Sequence, residues 1–108
     1  MSSFTSFEAI SEPVEGEPRR LRKATAHHTI AVFTEGDPLQ VVVQVEGSHD
    51  GFRWFPMGTV TFGGGDPVAV KSTQPTTHLV TWIRASLIFL EGGADPTVTA
   101  TIASADDV

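Results

Sequence analysis

Leu39-Gln40-Val41-Val42-Val43-Gln44-Val45-Glu46-Gly47-Ser48-His49-Asp50-Gly51 is the stretch on which the fold turns. Leu39, Val41, Val43 and Val45 alternate with Gln40, Val42, Gln44 and Glu46. Successive side chains of a strand point to opposite faces, so four aliphatic groups share one face and a mostly polar set the other, the mark of a half-buried antiparallel strand. The Asp50-Gly51 pair predicts a tight hairpin, because both residues tolerate positive φ. Phe52-Arg53-Trp54-Phe55 is the expected return strand, interrupted by Pro56 and Gly58 and resumed by Thr59-Val60-Thr61-Phe62.

The same signals extend outward. Upstream, Ile30-Ala31-Val32-Phe33 ends in the turn cluster Glu35-Gly36-Asp37-Pro38; downstream, Gly63-Gly64-Gly65-Asp66-Pro67 forms a loop before Val68-Ala69-Val70. Residues 79–90 fit a helix face through Leu79, Trp82, Ile83, Leu87 and Leu90, and a strand face through Leu79, Ile83, Ala85, Leu87 and Phe89. Context decides for strand, since no helix cap precedes it and Thr97-Val98-Thr99-Ala100-Thr101-Ile102-Ala103 alternates with β-branched residues. The two are expected to pair across 91–96, with a bend or bulge near 84–86 in the longer one. About seven short strands between Gly/Pro turns predict an all-β chain, a single β-sandwich of Greek-key or jelly-roll type, and leave the strand order open.

Residues 11–18 combine two prolines, a glycine and three glutamates, which resist both helix and central strand and predict a linker or surface loop. Phe4, Phe7 and Ile10 before them have helical spacing over too short a segment to hold a helix. The sequence therefore divides into an extended N-terminal arm, residues 1–23, and a sandwich domain, residues 24–108. Four of the seven basic residues, Arg19, Arg20, Arg22 and Lys23, fall within five positions. They read either as a solvated edge strand whose charge discourages sheet pairing or as a patch that docks on an acidic partner as the apolar arm orders on contact. On the second reading the partner-binding residues are Phe4, Phe7, Ile10, Arg19, Arg20, Arg22 and Lys23.

At 108 residues the chain has the length of one domain, and 40% hydrophobic content suffices for a core. A net charge of −6 argues against a nucleic-acid partner, and the longest mainly apolar run, residues 79–90 with Arg84 inside it, is too short for a membrane helix. The N-terminus does not read as a secretory signal. Without Cys there is neither disulfide nor thiolate metal site, and His27, His28, His49 and His78 show no ligand spacing. No Gly-x-Ser-x-Gly is present, and the glycines at 63–65 lack the following Lys and helix of a phosphate loop. The expectation is a non-enzymatic protein without cofactor or metal. Trp54 and Trp82 are the aromatics that could form a sugar platform, but each lies in an expected strand with apolar neighbours, and core packing is the expectation because a buried large aromatic stabilises most.

The stretch Val43-Gln44-Val45-Glu46-Gly47-Ser48-His49-Asp50-Gly51-Phe52-Arg53-Trp54-Phe55-Pro56-Met57-Gly58 resembles a motif of virion structural proteins of tailed bacteriophages, in which a strand ends in Gly-Ser, turns at Asp-Gly and returns through a Trp to a Gly. Val80-Thr81-Trp82-Ile83-Arg84-Ala85-Ser86-Leu87, Gly92-Gly93 and Thr97-Val98-Thr99-Ala100-Thr101-Ile102 are similar to the closing hairpin of those proteins. The resemblance covers residues 39–103 and implies a capsid decoration protein of the virion that binds the major capsid protein or another virion protein, often as a homo-oligomer such as a trimer, after assembly in the host cytoplasm. Tail or baseplate placement, or a carbohydrate-binding β-sandwich module, are the alternatives.

Overall fold

In the computed structural model, which describes residues 2–25, 28–63, 68–72 and 79–104, every regular element is a strand. In chain order they are β1 (Ser2–Ile10), β2 (Val14–Glu15), β3 (Arg19–Thr25), β4 (His28–Glu35), β5 (Gln40–Ser48), β6 (Trp54–Phe62), β7 (Val68–Ser72), β8 (Val80–Glu91) and β9 (Thr97–Ser104). One sheet runs β1-β9-β4-β7; the other runs β2-β8-β5-β6, with β3 also pairing β8. With β2 and β3 counted as one edge position, first pairs with last, second with second-last, and so on inward to the β5–β6 hairpin. A long antiparallel hairpin rolled up in this way, its turns then joined by β9–β4 and β8–β5, is a jelly roll. This fixes the sandwich type and the order that the sequence pattern left open.

The expected face of β5 is the buried one: Val41, Val43 and Val45 are enclosed, against Ile83, Ala85 and Leu87 of β8. The opposing sheet contributes Ile30, Val32, Val98, Ala100 and Ile102. Each such aliphatic side chain is worth about 1.5–3 kcal/mol when fully buried, so the two inner faces supply the main driving force for association of the layers.

The N-terminal segment is extended, but it does not stand off the domain. β1 pairs along its length with β9, Phe7 is 6% exposed within the core, and Phe4 and Ile10 pack against it. β2 and β3 line the flank of β8, anchored by buried Leu21. Residues 1–23 and 24–108 are thus not separate structural units. The seam between sheets is closed by Ser6, a buried residue of β1 whose hydroxyl accepts from the Ala85 amide at 2.9 Å and donates to the Glu17 carbonyl at 2.9 Å. Residues 17 and 18 leave the ladder between β2 and β3, with the Glu17 amide donating to the Ser6 carbonyl, so the Ser6 hydroxyl stands in for a missing strand acceptor. The Gly16 amide donates to the Ala85 carbonyl at 2.8 Å, and Gly16 is needed because a Cβ there would collide with that carbonyl and with Ser6 Oγ.

Three further expectations change. β8 and β9 lie in different sheets, and residues 92–96 cross between layers instead of closing a hairpin. The irregularity of β8 falls at Ile88, where Val42 pairs Phe89 and Val43 pairs Leu87; the extra residue turns Phe89 outward, and 84–86 pair regularly with β5. β6 starts at Trp54, leaving Phe52 and Arg53 in the loop, and it absorbs Pro56 and Gly58 through a bulge at Met57.

Because Ser6 satisfies a buried amide, Ser6→Ala is expected to cost about 1–3 kcal/mol, read from urea denaturation. A chain lacking residues 2–10 is expected to lose cooperative unfolding altogether, since it would uncover β9 and remove Phe7.

Candidate binding surfaces

The parity that buries Val41, Val43 and Val45 sends Val42, Gln44, Glu46 and Ser48 to the outer face of the five-stranded sheet. Register then places Trp54 and Trp82 on either side of Ser48. Both indoles are half-buried on this outer face, not in the core as the sequence led one to expect. The interior at that level is filled by Met57 and Val80, which crowd the space where a Gly47 side chain would be.

One row further in, Arg84 is the hub. Its Nε donates to Glu46 Oε1 at 2.9 Å and its Nη1 pairs with Glu15 Oε2 at 3.1 Å, while Ser86 Oγ donates to the same Glu46 oxygen at 2.6 Å. The guanidinium also stacks on the Trp54 ring, 4.1 Å from its centroid. Arg84 and Glu46 side chains are only 13% and 16% exposed, so the ion pair is covered, and the indole is its roof. A shallow groove of about 330 Å³ continues from Glu46 and Ser86 to Glu15 and Ile88 at the sheet margin.

The loop of residues 49–53 forms a second feature. Asp50 Oδ1 accepts from the Phe52 and Arg53 amides, both at 2.8 Å, and from Ser48 Oγ at 3.1 Å, while Ser48 Oγ accepts from the Gly51 amide at 2.9 Å. Gly51 adopts φ 80° against the face of Trp82, where a Cβ would lie 2.9 Å from the indole. Thr81 Oγ1 donates to the His49 carbonyl, and His49 Nε2 donates to the Leu79 carbonyl, tying the loop to the start of β8. The product is a pinned tip from which Phe52 projects 87% exposed, with Leu79 at 59% beside its base.

Of the sequence-derived contact residues, Phe7 is enclosed and Phe4 and Ile10 are core-packed, so their apolar area is spent inside the fold. Arg20, Arg22 and Lys23 are exposed on β3 and Arg19 is half-buried over the Phe4 ring, 5.5 Å from its centroid. The basic run is therefore an edge strand, as the first of its two readings had it, and its charge still faces outward. Phe52 was missed because it was placed in the return strand; the signal available was the Ser-x-Asp-Gly spacing, which closes a side-chain-capped turn.

Among the described residues no group of three His, Asp or Glu side chains converges as a metal site. His28 is buried and shares a 2.8 Å hydrogen bond with Ser104, and His49 packs edge-on to Phe55. His27 and His78 lie outside the described residues.

No family model and no curated protein sequence matches the chain. Among solved structures it is similar to the SPBc2 prophage-derived protein YomS, at 12% identity and TM-score 0.58 over 96% of this chain and 92% of that one. It is also similar to PirA, at 10% identity and TM-score 0.51 over 95% and 91%, and to a CBM4 structure, at 15% identity and TM-score 0.52 over 94% and 77%. At such identities the likeness is one of fold.

The backbone amide of Arg53, then that of Phe52, with lesser help from the Ser48 hydroxyl and the Arg53 charge, lowers the Asp50 pKa to about 2 against a small opposing desolvation. A carboxyl with a depressed folded-state pKa adds stability that is present above its ordinary value near 4 and lost as pH falls through the folded one. Asp50→Ala is therefore expected to unfold earlier than the parent at neutral pH. The gap should close between about pH 4 and about pH 2, as followed by thermal melts across that range.

Proposed function

We propose that this chain is a non-enzymatic structural protein of a phage virion, and within the virion a decoration protein that binds the major capsid protein. The observation that carries the reading is the pinned tip: Phe52 is held out of the fold by hydrogen bonds that fix its backbone. An exposed aromatic on a preorganised loop is the kind of anchor that dominates protein interfaces, because little ordering entropy remains to be lost on docking. The resemblance of residues 39–103 to virion proteins and the shared fold with a prophage-derived protein support the same reading. The basic edge of β3 offers a second contact suited to an acidic partner surface. Many copies, each contributing a modest contact and joined as oligomers, would reinforce a shell by multivalent attachment.

Co-sedimentation with capsid shells of the phage that carries this chain tests the proposal. Saturable binding is expected, weakened roughly tenfold or more by Phe52→Ser with the melting temperature unchanged. Binding to isolated tails but not to shells would move the protein to the tail or baseplate, and binding to neither would end the virion reading.

A further inference from the structure

We propose that the outer face of the five-stranded sheet is a binding site for a neutral glycan, with Trp54 as its stacking platform. The proposal is independent of where in a virion the protein sits.

Trp54 carries the guanidinium of Arg84 on one side of its ring, and Arg84 and Glu46 beneath it are nearly closed to solvent. The ring is thus laid over the sheet with its other side turned outward. Trp82 stands at the same level two strands away, roughly 10 Å across, braced by Gly51, with buried Ser48 between the two. Neither indole belongs to the core, although burial there would stabilise each more. Trp54 nonetheless has its position fixed, because the guanidinium that holds it is itself held by two carboxylates.

The chemistry around the rings selects the ligand. A pyranose presents an apolar face of axial C–H groups and a rim of hydroxyls. The indoles match the face, and half-buried Gln44 on the same face and exposed Glu15, in the groove at the margin, match the rim. Glu15 and Glu46 neutralise Arg84, and Glu15, its side chain 75% exposed, keeps unused lone pairs, so the margin favours hydroxyl donors and repels carboxylates, sulfates and phosphates. The net charge of −6 acts in the same direction. A flat, uncharged chain of β-linked hexoses is therefore favoured over an acidic polysaccharide. A proline-rich peptide, which also stacks on aromatics, would leave the hydroxyl-matching groups of the rim poorly used.

The test titrates the full-length protein with cellohexaose, polygalacturonate and a decaproline peptide, following tryptophan fluorescence and, in parallel, binding heat. Saturable binding of cellohexaose alone is expected, weakened roughly tenfold or more by Trp54→Ala, partly recovered in Trp54→Phe and untouched by Phe52→Ser. Should Trp54→Ala prove misfolded by circular dichroism, Gln44→Arg, which places bulk on the same face away from the Arg84 pair, is expected to give the same loss. Absence of saturable cellohexaose binding at millimolar concentration, equal binding of polygalacturonate or decaproline, or full affinity in folded Trp54→Ala would each overturn the proposal.

Discussion

The hydroxyl of Ser6, inserted between β8 and the link from β2 to β3 in the opposite sheet, is the point on which the architecture depends. It lies on β1 of one layer and satisfies Ala85 of β8 in the other. A chain can roll up as a jelly roll only if its first strand crosses from one sheet to the other without stranding backbone donors at the crossing. Here the chain crosses at residues 11–13, and where residues 17 and 18 then leave β8 a serine side chain completes the ladder that the backbone leaves open. Gly16 makes the approach possible and Phe7, next to Ser6, uses the opposite parity to enter the core. Because the N-terminal segment is committed in this way, it closes the fold, and the outer sheet face, the tip and the basic edge are surfaces it leaves open.

How far the sequence announced this structure depends on how local the determining physics is. The alternation of Leu39 to Glu46 could be read directly, because burial parity in a half-buried strand leaves a period-two imprint, and the all-β class followed from it. The role of β1 could not. Phe4, Phe7 and Ile10 recur every third residue, a helical and not a strand period, because bulges lie between Thr5 and Phe7 and between Phe7 and Ile10, and the partner strand is near the other end of the chain. The same holds for Trp54 and Trp82: their outward placement follows from register against Ser48, and register depends on a five-residue loop whose cap is a side chain. Hydrophobic size alone argued for the interior, and parity overrode it.

The two Trp residues and Arg84 show how the outer face combines stability with recognition. An ion pair under an aromatic roof is shielded from solvent and gains from the lower local dielectric, yet each charge keeps a hydrogen-bonding partner, so the desolvation cost is offset. The same arrangement leaves an ordered aromatic surface exposed. Phe52 is the corresponding case at the end of the sandwich, where the Asp50 cap fixes a backbone that would otherwise be free to collapse its side chain onto the fold. Both features hold apolar area at the surface on scaffolds fixed by polar networks, and the contacts proposed for the capsid and for a glycan rest on that area.

Residue-resolved amide hydrogen exchange on the intact protein tests the central claim most directly, because it asks whether the N-terminal segment belongs to the cooperative fold. The account requires the amides of Phe7 and Ala85 to exchange as slowly as those of Val43 and Val45 at the centre of β5. Exchange of residues 2–10 at the rate of unstructured chain, with β5 still protected, would contradict it.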